Sequence, residues 1–190
     1  MRKTIQIGCA LWFALVVSQS LSAKDAEQDV QPVRLSNGRL QLTPPADWTP
    51  KKPKFAGIVD FEFAVAAADG DSAPGRVIVG GAGGGIEANK LRWLAQYRQP
   101  DGSRSEDRAE VQKKTIADCT VHLLDVSGTY QAPPFDPGGG GPRENYRLLA
   151  AVIEAGKLGS YYVKFYGPAP TVARHEAAFH AMIKSLQQKD

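Results

Sequence analysis

Between Gly80 and Gln96 the sequence reads GGAGGGIEANKLRWLAQ, directly after the run Val77-Ile78-Val79. No other stretch restricts the fold as tightly. A β-branched run favours a strand, a glycine cluster permits an abrupt change of direction, and the segment that follows has helical spacing. At 100° per residue Ala88, Leu91, Leu94 and Ala95 gather on one side. Ile86, Trp93 and Tyr97 gather roughly opposite, flanked by Asn89 and Gln96. Such a helix is expected to be covered twice, with one stripe on a sheet and the other under a loop, a second layer or a ligand.

The start of the chain reads as a secretory signal. Arg2 and Lys3 precede the apolar run Ile5 to Val17, and Ser20-Leu21-Ser22-Ala23 offers small residues for cleavage. The run is shorter than a bilayer-spanning helix requires, so residues 1–23 are expected to be removed and the protein exported, to the periplasm or the exterior, without a transmembrane anchor. Residues 24–38 are expected to form a flexible leader, and residues 39–187 a single α/β domain. Without Arg2 and Lys3, 21 Lys and Arg face 20 Asp and Glu. A nearly neutral domain gives no electrostatic case for nucleic acid. Cys119 is then the one remaining cysteine, and its apolar surroundings predict a buried, inert thiol.

Along the chain, β signals dominate. Arg39 to Leu42 predicts a first short strand, stopped by Pro44 and Pro45, with Trp48 as an anchor onto the core. Thr49 to Lys54 reads as a charged loop. Val59, Phe61, Phe63 and Val65 alternate along a strand that pairs with Arg76 to Val79 as a hairpin. Val111 to Gln131 predicts another hairpin, interrupted near Ala117-Asp118. Ala132 to Asn145, with four consecutive glycines between prolines, predicts a long loop. The continuously apolar Tyr146 to Glu154 predicts a strand buried on both faces. In the returning strand Ser160 to Tyr166, Tyr161, Val163 and Phe165 face one way and Tyr162, Lys164 and Tyr166 the other. Thr171 is the expected N-cap of a closing helix whose stripe is Val172, His175, Phe179, Met182, Ile183 and Leu186, and the tail beyond it is expected to fray.

Several motifs invite chemistry and fall short of it. Gly83-x-Gly85-x-x-Ala88 fits a dinucleotide fingerprint. However, the surrounding hairpins are not βαβ units, Glu87 would repel a pyrophosphate, and an exported protein has little access to nicotinamide cofactors. The glycines read instead as a sharp strand-to-helix turn. His175 and His180 are five residues apart, which turns the two rings about 140° apart on a helix, unlike a metal-chelating pair. No serine stands in a nucleophile elbow. Asp60, Glu62, Asp125 and Glu154 are dispersed over different strands. No catalytic residue, metal ligand or cofactor is therefore assigned. The best candidate surface is Asn89, Arg92, Trp93 and Gln96, because Trp and Arg are favoured at binding hot spots. The competing reading of that set is that Trp93 packs in the core and its polar neighbours satisfy loop backbone.

Pro45-x-x-Trp48, the strand Phe61 to Val65, Gly84-Gly85, Asn89-x-x-Arg92-Trp93-x-x-Gln96, Gly128-Thr129-Tyr130 and Gly167-Pro168 together resemble a family of uncharacterised secreted bacterial proteins. These are similar to the PsbP-like fold, an antiparallel sheet sandwiched between helices, shared with extrinsic photosystem II subunits and a Ran-binding protein. The resemblance implies an α+β single domain and lends no catalytic residues. The expectation is an exported envelope module that binds a protein or small ligand through the Trp93 helix and the loop from Pro133 to Pro142. The alternative is a secreted, hydrolase-type enzyme whose acid and base groups converge only in the fold.

Overall fold

In a computed structural model, the structure describes residues 31–134, 136 and 139–189. The expected signal segment and the first part of the leader lie outside these residues. Among the described residues no helix is long and apolar enough to cross a membrane.

The chain opens with three short strands, β1 (Val33–Leu35), β2 (Leu40–Leu42) and β3 (Thr49–Lys51), then the hairpin β4 (Phe61–Val65) and β5 (Gly75–Gly81). Helix α1 (Ile86–Leu94), β6 (Tyr97–Arg98) and the single turn α2 (Ser105–Arg108) follow. The long strands β7 (Glu110–Ile116), β8 (Cys119–Ala132), β9 (Gly141–Glu154) and β10 (Ser160–Pro168) lead to α3 (Ala169–Arg174), α4 (Glu176–Lys184) and β11 (Gln187–Gln188). The main sheet is antiparallel with order β3-β4-β5-β10-β9-β8-β6, and β7 also pairs with β8. A small sheet, β1-β2-β11, stands apart from it. The domain is α+β, as its sequence pattern predicts.

Strand alternation divides the core in two. Phe63, Val77, Val79, Val163 and Phe165 point to one face, where they meet α3, α4 and the small sheet. Trp48 joins this core, with its ring tilted against Phe165. Leu124, Leu148, Ala150, Val152, Tyr162 and Tyr166 point to the other face, where Trp93 and Leu94 of α1 cover them. Leu148 to Ile153 are buried throughout, so β9 is central. The β7–β8 hairpin turns at Ala117 and Asp118 with φ of 48° and 58°, the left-handed pair that a tight two-residue hairpin needs.

Six expectations need correction. Val33 and Leu35 are buried in β1, so the flexible leader does not extend to residue 38; a three-residue strand is too short for its alternation to stand out. Thr49–Lys51 is an edge strand on β4 rather than a loop, and Pro50 is tolerated because an edge leaves one side unpaired. The loop after β8 is shorter than expected, since β9 begins at Gly141. Pro142 fits there because β10 reaches only Tyr146, leaving the start of β9 paired with β8 alone. The closing helix starts after Pro168 and breaks at His175. Thr171 lies inside its first turn, where its hydroxyl donates to Asp71 and accepts from the Ala68 amide. The tail pairs with β2 through Gln187 and Gln188. On α1 the Ile86/Trp93 side packs inward, whereas Ala88 and Ala95 are exposed and Leu91 is 53% exposed. Trp93 buries more apolar area than the small residues opposite, so its stripe wins the sheet.

The glycines before α1 behave as a turn. Gly84 and Gly85 have φ of 85° and 81°, and Asn89 closes the turn by donating to the carbonyls of Gly83 and Gly85 at 2.9 and 2.6 Å. With nine residues, α1 is about 14 Å long. The main sheet is roughly 30 Å across, so one short helix leaves much of this face without a helical roof.

Gly167 tests the packing of the strands beneath. A Cβ there would meet the Gly75 Cα at 2.9 Å, which is backbone and cannot swing aside. Gly167→Ala is expected to destabilise the fold by about 2 kcal/mol in urea unfolding. Gly83→Ala, with open space around it, is expected to change stability by no more than about 0.5 kcal/mol.

Candidate functional site

The half of the sheet that α1 leaves open carries an unusual set of side chains. Register brings them together. Glu62 of β4 lies opposite Ile78 of β5, and Ile78 lies opposite Lys164 of β10. One row along, Ala64, Arg76 and Tyr166 stand side by side. All of them alternate with the core residues of the opposite face.

Arg76 is the hub. Its Nε and Nη2 each donate to one Glu62 carboxylate oxygen at 2.9 Å. Its Nη1 donates to the Tyr166 hydroxyl and lies 3.4 Å from Asp136 Oδ1. Tyr166 Oη donates to the same Asp136 oxygen at 2.9 Å. Arg143 Nη1 donates to Asp136 Oδ2 at 2.8 Å and Nη2 to the Gly139 carbonyl at 2.6 Å. Two guanidinium groups thus meet two carboxylates, and the cluster balances its own charge. The bidentate bond from Arg76 holds the Glu62 carboxyl below its ordinary range. Burial pushes the Tyr166 hydroxyl well above its own.

This cluster separates two chambers. The outer one, about 470 Å³, is lined by Ala64, Pro74, Tyr146 and Gly167, with Lys51, Lys52 and Lys54 along its side. The inner one, about 410 Å³, runs from the cluster to Gln96, just past the end of α1, between Ile78, Tyr130, Tyr162, Phe55 and Ile58. Arg76, Asp136 and Tyr166 line both. Ile58 is 68% exposed and forms part of the inner chamber's lip; the Tyr162 hydroxyl fixes it by donating to the Ile58 carbonyl at 3.0 Å.

Lys164 lies in the inner chamber and is 9% exposed. Its ammonium sits 5.2 Å from the centre of the Trp93 ring and 5.4 Å from that of Tyr166. Among the described residues no carboxylate forms an ion pair with it. Burial, and then the positive charge of Arg92, brings its pKa down to about 7.

Of the four residues singled out, Asn89, Arg92 and Trp93 lie on α1 and Gln96 just past its end; Arg92 is exposed, and Gln96 is the one of them that lines the inner chamber. Asn89 is 1% exposed and is occupied by the glycine turn. Arg92 donates to Asn89 Oδ1. Trp93 is 4% exposed and meets Tyr162 edge-on, with centroids 5.8 Å apart. Gln96 lines the inner chamber, and its buried Oε1 has no hydrogen-bond partner among the described residues. The loop after β8 contributes Pro133 and Asp136.

The other motifs stay apart. Of the strand carboxylates, only Glu62 reaches the site. Asp125 is held by Arg147, which also binds Glu176, and Glu154 is 2.8 Å from His122. His175 contacts the Ala66 carbonyl at 3.1 Å, while His180 packs edge-on against Phe179. Burial pushes the Cys119 thiol up. Sequence reasoning did not single out Arg76, Asp136 or Lys164. The available signal was Lys164 itself, placed between Tyr162 and Tyr166 on a strand beside the doubly buried β9.

No protein-family model matches the sequence, and no curated protein matches it. Solved structures match it by shape. Cyanobacterial PsbP (CyanoP) from Synechocystis sp. PCC 6803 has a TM-score of 0.50 at 13% identity, over 84% of this chain and 92% of that one. LpqN, involved in cell envelope biogenesis of Mycobacterium tuberculosis, has a TM-score of 0.47 at 11% identity, over 84% and 90%. The Saccharomyces cerevisiae Ran-binding protein Mog1p has 0.44 at 11%, over 84% and 95%. The likeness to CyanoP is one of fold, and the fold is PsbP-like.

The buried amine has a measurable signature. The unfolded chain holds the Lys164 proton up to its ordinary pKa of 10.5, whereas the folded chain releases it near 7. Between those values the unfolded state binds more protons, so this group makes stability rise with pH. Below 7 the full cost of burying an ammonium is present. Lys164→Met is expected to stabilise the protein by on the order of 2–4 kcal/mol at pH 6. The gain should shrink as pH climbs from 7 towards 10 in chemical unfolding. A gain that stays flat across that range would place the titration elsewhere.

Proposed function

We propose that this protein is an exported accessory module of the cell envelope that binds a small ligand in the chambers beside α1. The observation that carries the reading is the half-roofed sheet face, where apolar and aromatic walls surround a few convergent polar groups. Chambers of this size and lining are the usual form of a small-molecule site. Export rests on the signal-like residues 1–23.

Binding fits the chemistry better than turnover. Glu62 is locked by two bonds from Arg76, and Asp136 accepts from Tyr166 and Arg143. Neither carboxylate is left poised as a base, and burial moves Tyr130 and Tyr166 away from neutral titration. A second reading, a hydrolase-type enzyme assembled only by the fold, draws on Lys164 alone. An acid/base pair needs a partner of matched pKa, and the chambers supply no such partner among the described residues.

Two measurements test the reading. Nile red, a neutral apolar dye, should bind saturably with enhanced fluorescence. Ile78→Trp, which fills the inner chamber while keeping the strand, should weaken that binding by roughly tenfold or more. Folded protein that binds no dye, or binds it equally well with Trp in place of Ile78, would remove the chamber from the argument. In its native host the protein should be recovered from the periplasm or medium with an N-terminus near Ser22 or Ala23. Recovery from the cytoplasm with residues 1–23 intact would overturn export.

A further inference from the structure

We propose that the inner chamber selects a small aromatic carboxylic acid, whose carboxylate pairs with Lys164 while its ring lies among Tyr130, Tyr162 and Phe55. This deepens the ligand-binding reading above and rests on it.

The argument begins with charge. The other charged groups that line the chamber, Arg76 and Asp136, are paired. Arg76 is taken by Glu62, Tyr166 and Asp136, and Asp136 also by Arg143. Arg92 of α1 donates to Asn89. The groups facing Lys164 are therefore Arg92 from α1, Arg76 from β5, Asp136 from the loop after β8, and the hydroxyls of Tyr162, Tyr166 and Tyr130. Two of these are cations, and the one carboxylate is already committed. A buried ammonium without a counter-charge is costly, and a carboxylate arriving in the chamber would remove that cost. Charge-assisted bonds of this kind are among the strongest a pocket offers.

The walls decide the body of the ligand. Tyr130, Tyr162, Tyr166 and Phe55 all line the chamber, with Ile58, Val59 and Ile78 filling the gaps. A lining rich in aromatic side chains favours an aromatic partner. The volume of about 410 Å³ suits a compact ring system better than a long chain.

Proton uptake follows. Burial brings the Lys164 pKa down to about 7, and an anion beside it favours the charged form. Binding should therefore draw in a proton at neutral pH and weaken as pH rises.

The probes are 2-naphthoate, its neutral amide 2-naphthamide, and decanoate, measured by calorimetry. At pH 6 the protein should bind 2-naphthoate roughly ten- to a hundredfold more tightly than 2-naphthamide. That preference should fade by pH 8.5. At pH 7, buffers of different ionisation enthalpy should report proton uptake. Lys164→Met should abolish the preference yet still bind Nile red, and Lys164→Arg should keep the preference at pH 8.5. Nile red binding without any preference for 2-naphthoate would overturn this proposal and leave the ligand-binding reading standing. Absence of both would remove both. Tighter binding of decanoate than of 2-naphthoate would overturn the aromatic assignment.

Discussion

The guanidinium of Arg76 is half-buried among groups from stretches far apart in the chain, and much of this sheet face depends on satisfying it. Glu62 comes from β4, Tyr166 from β10 and Asp136 from the loop after β8. A buried charge must be paired to be tolerated. Removing one partner from such a cluster costs several kcal/mol, because the remaining charge is left without compensation. Pairing therefore fixes more than local geometry. It pulls Asp136 down onto the sheet, and with it the loop that walls both chambers. Arg143 completes the balance from the start of β9.

Against that balance Lys164 is the surplus. The protein shows elsewhere how it treats a buried cation it intends to neutralise. Arg147, on the opposite face, is held by Asp125 and Glu176 together. Lys164 receives aromatic rings in place of carboxylates. Cation–π contacts soften the desolvation of an ammonium but recover only part of it. The result is an amine whose protonation responds to whatever shares its chamber. Such a group is a plausible recognition element because it gains most from a partner the protein does not provide.

Much of the fold was legible in the sequence because period-two alternation speaks directly about faces. The two sides of β10, the doubly buried β9 and the turn at Ala117-Asp118 all appear where the pattern places them. The failures were local. Three-residue strands such as β1 and β3 carry too little pattern to stand out. Glycine and proline between Gly141 and Pro142 suggested loop, although a strand edge accommodates both. The site was harder to read for a different reason. Glu62, Arg76 and Lys164 occupy polar positions of strands, which ordinarily mean solvent. They are withdrawn from solvent by contacts between elements, Lys164 with Trp93 and Glu62 with Arg76, which cannot be deduced one strand at a time. The Trp93 helix, which the sequence singles out, packs its indole edge-on against Tyr162 and beside the Lys164 ammonium.

The shortness of α1 links these points. The glycine turn at Gly84 and Gly85 launches the helix across the sheet, and Asn89 fixes its start. After nine residues it gives way to β6. A helix one turn shorter would lose Trp93 and let water reach the ammonium, restoring an ordinary titration. The observed length places Trp93 beside the Lys164 ammonium and leaves Lys164 9% exposed. The same geometry accounts for the aromatic walls. Tyrosines can line a chamber that is dry at its back and wet at its mouth, since each pairs an apolar ring with a hydroxyl that can find a partner, as Tyr162 and Tyr166 do here.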